Sequence, residues 1–509
     1  MLLSFADSGQ RSFVTQVNTG KNHPPAPRQR RSAAALRAGL AALVFWQPVS
    51  HATDLVDVLE QATRGDPVLR EAEALRSAAL EAKPQARGAL LPQVRAAGAI
   101  ETREGDVNRR IVQETETVPP EIELVPVSQE TSTDHWWWQA GLRQTLFRWD
   151  QWQRLGRADA RVAQAEAQYR SAQQNLMLRV TQRYFDVLAA AETLRAAEAT
   201  LTAFSRQLEQ AERQFKVGLV TVIDVEEARA ARDAGSAQVI AAKRALAVAG
   251  ELLTELTGEV YAELERPKED FRAQDPKAPA DEQGWVDMAL EQNLDVIAAR
   301  FGVDIAKSDL RIAQSGHMPT VDLYASTSEF DVSGDQTNVD RASGVRTTGP
   351  ADADGSEDVV GVEVVLPIFT GGQTRSRVRE QVQLHRAARE RLEANLRAAE
   401  RATRDAYLTS EADRERVAAL RQAVASTQSA QRATQRGVEV GTRTTVDLLE
   451  AQRRAFEAER DYARSRYDYL INSVRLRSTA GVLLPADLQA INDYLQEPVP
   501  VMPTGTPRR

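Results

Sequence analysis

The chain has 509 residues, a formal net charge of −8 and no cysteine. Because cysteine is absent, a disulfide framework and a metal site built from thiolates are both excluded. The mildly acidic balance also disfavours nucleic acid as a partner. Ala, Arg, Glu, Gln and Leu are abundant, and this composition is typical of long helices and coiled coils.

Residues 1–52 predict a signal peptide. A cluster of arginines precedes an apolar run at residues 38–46, and Ser50-His51-Ala52 offers a cleavage site of the small-residue type. The run is too short for a membrane anchor, which needs about 20 residues. We therefore expect cleavage after Ala52. No later apolar run is long enough to span a membrane as a helix, so any crossing must use β-strands.

Two stretches of the mature chain are nearly alike. Residues 217–228 (VGLVTVIDVEEA) and 440–451 (VGTRTTVDLLEA) share Val, Gly, Thr, Asp, Glu and Ala at the same six places. Each lies between long helical patterns. Gly218 and Gly441 suit the left-handed position just after a helix C-terminus, where a side chain is penalised. Each stretch therefore predicts a sharp turn between two helices.

A helix cap follows each turn. Thr221 and Thr444 are placed to cap the next helix, and Asp224 and Asp447, three residues on, complete a capping-box pattern. One such turn alone would indicate an ordinary helical hairpin. Its occurrence twice, with the same flanking pattern, predicts one large unit made of two structural repeats.

The first repeat is expected to cover residues 53–280. Its predicted parts are an opening helical segment to residue 87, strands at about 90–102 and 136–147 around an exposed loop at 103–135, a helix from about 150 to 215, a hairpin tip at about 215–228, a helix to about 256 and a connector.

The second repeat is expected to cover residues 281–495. It has a predicted helix at 285–314, strands at about 318–330 and 359–369 around an acidic loop at 331–358, a helix from 373 to about 438, a hairpin tip at about 437–451 and a helix to about 481. Residues 496–509 are Pro-rich and predict a disordered tail.

The strands have one apolar face each. Three adjacent tryptophans, Trp136, Trp137 and Trp138, open one strand beside an acidic segment, which suits an aromatic girdle at a membrane interface. A buried aromatic cluster in a soluble sheet is the alternative. Four strands cannot close a barrel, and an open sheet edge is forbidden in lipid. Three copies would supply about twelve strands, an even and feasible number.

The chain resembles the TolC family of outer-membrane channel-tunnels, or outer membrane efflux proteins, from about Asp54 to Leu495. The most specific pieces are the two turns, the run DYARSRYDYLIN at 461–472, GHMPT at 316–320 and PIFTGG at 367–372. The resemblance implies a mixed α/β membrane protein. A homotrimeric twelve-stranded β-barrel in the Gram-negative outer membrane would continue as a long α-helical barrel across the periplasm.

The resemblance also implies a role and partners. Such a tunnel docks through a periplasmic adaptor, or membrane fusion protein, onto an inner-membrane pump. The pump is either a proton-driven RND drug transporter or an ABC transporter of type I protein secretion. The chain would be the outer-membrane exit duct for drugs or secreted proteins. The stand-alone diffusion porin and the structural coiled-coil surface protein are alternatives, but the first predicts short periplasmic turns and the second no paired strands.

Carried over by position, Asp447 matches an acidic ring at the constricted entrance, and Glu450 stands where a second Asp is expected. The two lie three residues apart, on one helical face. Three copies would place six carboxylates around a narrow lumen, which favours cations and can bind blocking divalent ions. Without the resemblance, a solvated cap and first-turn charge would be the preferred interpretation.

Asp224 and Arg443 match positions that pair across neighbouring coils to hold the entrance shut. A charge-assisted bond suits this task. Two departures from the family weaken or alter the expected lock: Val438 replaces a Tyr, and Ile223 replaces a Thr.

The exposed turns are the expected adaptor contacts, because apolar side chains at a hairpin tip call for a partner. They comprise Gly218, Leu219, Val220, Thr221, Gly441, Thr442 and Thr444.

Catalysis is not expected. The histidines of the mature chain, His135, His317 and His385, are scattered without metal-ligand spacing, and nucleophile, phosphate-loop and dinucleotide motifs are absent from the sequence. We therefore expect no enzyme activity, no cofactor and no metal.

Overall fold

The computed structural model describes residues 52–114, 122–268, 279, 281–341 and 343–502. The predicted signal peptide, except Ala52, and residues 503–509 lie outside these ranges. No helix within them is both long and apolar enough to cross a membrane.

The first half contains two long helices joined by a turn. Its elements in chain order are α1 (Leu55–Gly65), α2 (Pro67–Leu80), α3 (Ala82–Gly88), β1 (Gln93–Glu114), β2 (Ile122–Phe147), α4 (Trp149–Lys216), α5 (Val222–Thr257) and β3 (Glu263–Pro267).

The second half repeats this order of helices, strands, long helix, turn and helix. Its elements are α6 (Glu282–Gln292), α7 (Leu294–Gln314), a 3₁₀ turn (Ser315–His317), β4 (Thr320–Asp340), β5 (Arg346–Pro350), β6 (Ala353–Val365), α8 (Gln373–Glu439), α9 (Thr445–Thr479), α10 (Pro485–Asn492) and β7 (Leu495–Pro500).

The long helices pair as coiled coils. Helices α4 and α8 have 68 and 67 residues, so each extends about 100 Å at the usual rise per residue. Helix α5 packs along α4, and α9 packs along α8. The buried side chains of α5 recur mostly at steps of three, four or seven residues, as in the seam of a coiled coil; they include Val225, Ala228, Gly235, Val239, Ala242, Leu246 and Leu253.

Five of the described strands form one antiparallel sheet in the order β1-β2-β4-β6, with β5 paired to the C-terminal part of β4 beyond β6, and β3 and β7 form a separate two-stranded sheet. All four predicted strands exist, but the predicted loops at 103–135 and 331–358 are largely strand. The ladder between β1 and β2 continues from Gln93↔Arg143 to Glu114↔Ile122. The polar, Thr-rich composition hid these extensions, although Thr, Val and Ile are good strand residues.

Two further boundaries differ from the sequence prediction. Strand β6 ends at Val365 rather than near 369, because Pro367 has no N–H to donate to a ladder. The single helix predicted at 285–314 is two helices. Asn293 has extended backbone angles and caps α7 through its side chain, which accepts from the amides of Asp295 and Val296.

The sheet has two chemically different faces. Backbone alternation and register place exposed apolar side chains together on one face; they include Val94, Ile100, Trp136, Trp138, Val360, Val362 and Val364. Ile100 is 83% exposed and Val360 78%. The opposite face is mostly polar and charged and carries Arg95, Gln139, Arg143, Ser326, Ser328 and Glu363.

A buried carboxylate joins the sheet to the first long helix. Asp322 of β4 has a side chain only 2% exposed, and it lies 2.9 Å from Arg143 Nη2 and 2.7 Å from Arg148 Nη2. Arg143 belongs to β2 and also pairs with Glu363 of β6, while Arg148 is the residue before α4. The arginine side chains keep 52% and 32% of their surface in solvent, so these pairs are weaker than fully buried ones. Without its partners, however, Asp322 would be a buried, uncompensated charge, so this cluster fixes the strand-to-helix junction.

The main core lies where α1, α10, β3 and β7 pack against the long helices. Tyr184 and Phe185 are fully buried there, and the Phe185 ring stacks on Tyr467 with centroids 5.6 Å apart. The Tyr184 hydroxyl donates to the carbonyl of Glu265 at 2.7 Å. This bond ties β3 to α4.

The predicted disordered tail at 496–509 is wrong for its described part. Strand β7 pairs with β3, and Leu495, Val499 and Val501 are buried in the main core. The prolines that suggested disorder, Pro498 and Pro500, are tolerated because β7 is an edge strand.

Ending the chain after Tyr494 removes β7 and three buried apolar side chains. Each contributes about 1.5–3 kcal/mol, so we expect a loss of about 4 kcal/mol or more and a lower melting temperature in circular dichroism. Ending the chain after Met502 is the matched control and should melt with the full chain. Identical melting of both truncations would show that β7 does not stabilise the fold.

Candidate functional site

The two hairpin turns have the same backbone. Gly218 and Gly441 have φ angles of 75° and 76°, so both occupy the left-handed region predicted for them. The amide of Leu219 donates to the carbonyl of Gln214 at 2.9 Å, and the amide of Thr442 donates to that of Gly437 at 2.8 Å. These bonds satisfy carbonyls at the end of each long helix.

Both predicted capping boxes are confirmed. The Thr221 hydroxyl accepts from the amide of Asp224 and the Thr444 hydroxyl from that of Asp447, and each carboxylate accepts in return from its threonine amide. The hydrogen bonds from Thr221 lower the pKa of Asp224, and those from Thr444 lower the pKa of Asp447. Both carboxyls are therefore ionised near neutral pH.

Glu450 has partners that the sequence interpretation missed. Its carboxylate accepts from Arg453 Nη2 at 2.7 Å and Nε at 2.9 Å, and from Arg454 Nε at 2.9 Å. These bonds lower the pKa of Glu450, the bond from Arg453 being the largest cause. A Glu followed at three and four residues by Arg is a helical pairing pattern, so the signal was present in the sequence.

Arg443 lies in its own turn rather than beside Asp224. No ion pair joins Arg443 to Asp224 among the residues that the structure describes. The Arg443 side chain covers Gly437, where an added Cβ would lie 2.7 Å from Arg443 Cγ. The charge of Arg443 also contributes to the lowered pKa of Asp447. An Asp224–Arg443 pair therefore requires a second chain or another arrangement of the coils.

The first tip exposes more apolar surface than the second. Its exposed apolar side chains are Phe215, Val217, Leu219, Val222 and Ile223, with Leu219 74% exposed. Val220 is half-buried. Around the second turn the exposed apolar residues are Val440 and Val446, and Val438 is half-buried.

The three tryptophans do not share a face. Trp136 and Trp138 point to the apolar side of the sheet and are about two-fifths exposed, and Trp138 Nε1 donates to Glu329 at 3.1 Å. Trp137 pairs with Ala99 and Phe330, so it lies on the opposite, polar side. The prediction that all three tryptophans contribute to one girdle is therefore wrong for Trp137, and it stays a prediction for Trp136 and Trp138.

The described residues contain no cluster of three or more His, Asp or Glu side chains able to hold a metal ion. His135 bonds to Thr133 within β2, and His317 ends the 3₁₀ turn before β4.

Comparison with known proteins gives a consistent result. A family model described as "Outer membrane efflux protein" matches residues 58–259 and 285–482. Outer membrane protein TolC of Vibrio cholerae is 32% identical over 445 residues, covering 87% of this chain and 94% of that protein. TolC of Escherichia coli is 33% identical over 461 residues, covering 89% of this chain and 87% of that protein.

A third relative has a more specific name. Alkaline protease secretion protein AprF of Pseudomonas aeruginosa is 28% identical over 352 residues, covering 69% of this chain and 70% of that protein. Among solved structures, the outer membrane protein VceC of Vibrio cholerae has the same fold with a TM-score of 0.64 at 18% identity, covering 84% of this chain and 96% of that one.

Replacing Thr444 with Ala removes the hydroxyl that caps α9. We expect the first turn of α9 to lose about 1 kcal/mol of stability, a typical cost of losing an N-cap. Faster hydrogen exchange of the amides of residues 445–448 would measure this loss. Thr202→Ala, at an exposed threonine inside α4, is the control and should leave those amides unchanged.

The same amides report the pH dependence of this cap. Hydrogen bonds from Thr444 lower the pKa of Asp447 in the folded protein. The ionised carboxylate therefore stabilises the cap fully at any pH above the ordinary aspartate pKa of about 3.9. The stabilisation is lost only as pH falls through the lower folded value. Loss of protection already at pH 5, after correction for intrinsic exchange, would contradict this assignment.

Proposed function

The chain belongs to the outer membrane efflux protein family, and from this membership we propose that it is the exit duct of a tripartite export machine. A periplasmic adaptor would connect it to an inner-membrane RND or ABC pump. The duct carries no reaction of its own, and the pump supplies the energy. The family description refers to efflux and the name of one relative to protease secretion, which supports exported solutes and secreted proteins as cargo.

The observation that carries the proposal is a sheet with one exposed apolar face and two unpaired edges. Among the described strands, β1 and β6 each pair on one side only, and the apolar face is exposed. Unpaired edges in lipid would cost several kcal/mol for each unsatisfied group. Three copies remove both edges by pairing β6 of one protomer with β1 of the next, giving a barrel of about twelve strands.

The helical wall supports the same trimer. Helices α2, α4, α7 and α8 contact one another in that order, so α2 and α8 are the ends of the row. Both ends expose apolar side chains, including Val68, Leu75, Leu80, Val382 and Leu384. Packing α8 against α2 of the next protomer would bury them. The coils α4–α5 and α8–α9 then extend the wall across the periplasm.

The hairpin tips are the proposed entrance. Asp447 and Glu450 are the proposed ring carboxylates, and Asp224 with Arg443 of a neighbouring coil is the proposed closure pair. Exposed pairs of this kind are individually worth about 0–1 kcal/mol, so a partner could open them. The apolar first tip, with exposed Leu219 and half-buried Val220, and the second turn, Gly441, Thr442 and Thr444, are the proposed adaptor contacts.

Quenching by brominated lipid tests the membrane face. We expect brominated acyl chains to quench the tryptophan fluorescence of the reconstituted protein through Trp136 and Trp138. The double change Trp136→Phe, Trp138→Phe should remove most of that quenching. The neighbouring change Trp137→Phe is the matched control and should retain it, because Trp137 is on the other face. Equal loss in both variants would contradict the proposed orientation.

Single-channel conductance in planar bilayers tests the duct and its closure. The purified oligomer should give a small resting conductance. Arg443→Ser should raise that conductance, since it removes the cation proposed to bridge neighbouring coils. Arg397→Ser, at an exposed pair with Glu393 far from the tips, should leave it unchanged. An unaltered conductance in Arg443→Ser would remove the closure pair but keep the duct, whereas no channel at all would remove the duct.

A further inference from the structure

Two arginines accompany the proposed ring carboxylates. Arg453 and Arg454 both bind Glu450, and Arg453 Nη1 also lies 2.7 Å from Glu457. All four side chains keep between one-third and two-thirds of their surface in solvent. The bonds therefore contribute little to stability, but they hold positive charges within contact distance of a ring position.

Helix geometry places Arg454 on the same face as the ring. At 3.6 residues per turn, Arg454 is rotated about 40° from Glu450 and about 20° from Asp447. Leu448 and Ala455 are buried, at 5% and 2% exposure, and at the same helical repeat they are rotated from Arg454 by about 120° and about 100°. Any rotation of α9 that directs Asp447 and Glu450 into a lumen therefore directs Arg454 there as well.

Arg453 adds a positive charge on the side of α9 that faces the α4–α5 pair. It lines a cavity of about 280 Å³ between α9 and the α4–α5 pair, together with Phe204, Gly235 and Glu457. With Arg443 in the turn, residues 443–457 carry three arginines against Asp447, Glu450 and Glu457. The first hairpin shows a similar pairing, because Arg229 contacts Glu226 at 2.9 Å and Glu212 at 3.5 Å.

We propose that Arg453 and Arg454 set the ion selectivity of the entrance by balancing the charge of the Asp447 and Glu450 ring. The entrance then admits anionic solutes and acidic polypeptides alongside cationic ones, and divalent cations block it weakly. This inference rests on the proposed function. It does not depend on the individual bonds, because guanidinium groups stay charged at every working pH and act on ions in the lumen through space.

The test is the reversal potential of single channels under a KCl gradient, with and without added Ca²⁺. Wild type should discriminate weakly between K⁺ and Cl⁻. Arg454→Gln should raise the cation-to-anion permeability ratio by about three- to tenfold, the scale expected for removing three charges from a water-filled constriction. The double change Arg453→Gln, Arg454→Gln should raise it further and make Ca²⁺ block clear.

Two controls separate charge from packing. Arg454→Lys keeps the charge and should retain wild-type selectivity. Arg397→Gln removes an arginine from a similar exposed pair with Glu393 and should also behave as wild type. Wild-type channels that are strongly cation-selective, or glutamine variants with unchanged selectivity, would overturn this inference and leave the duct intact. Absence of channels from a folded oligomer would overturn the proposed function and this inference with it.

Discussion

The open edges of the large antiparallel sheet constrain the rest of this molecule. A strand edge that lies in lipid needs hydrogen-bond partners, because no water is available there to satisfy its amides and carbonyls. Within the described part of the chain, β1 and β6 leave these groups without a strand partner, while the sheet exposes an apolar face. If three copies close the sheet as proposed, the helices that follow the strands must form a ring as well. The exposed apolar residues on α2 and α8 are consistent with this requirement.

The sheet and the helices are coupled by charge as well as by chain connectivity. Each long helix starts directly after a strand or a short turn, so its direction depends on the junction. Asp322 is buried beside Arg143 and Arg148. Its carboxylate therefore links the sheet to the residue that precedes α4. Because a buried carboxylate without its arginine partners is costly, the junction resists bending.

Sequence predicted the features that depend on neighbours in the chain. The two turns and their capping boxes follow from Gly, Thr and Asp at fixed spacing, and the long helices follow from uninterrupted periodic stretches. The alternating faces of the strands near the tryptophans were also predictable. The extensions of β1, β2 and β4 were not, because their outer parts have polar side chains on both faces and lack the alternation that marks a half-buried strand. Strand β7 was missed for a different reason: its burial depends on pairing with β3, more than 200 residues away in the chain.

At the candidate entrance, residue roles were assigned by matching positions to the family, and such a match covers only the residues that it aligns. Asp447 and Glu450 are the proposed ring carboxylates, but the charge of a site depends on every ionised group within reach, including those one turn further along the helix. Arg453 and Arg454 follow Glu450 at three and four residues, the spacing at which helical side chains meet. In a narrow water-filled passage, the sum of these charges acts on a passing ion, since each is separated from it by only a few ångströms. If Asp447 and Glu450 form the ring as proposed, these carboxylates alone would overstate the negative potential of the entrance, and the two arginines belong to its functional description.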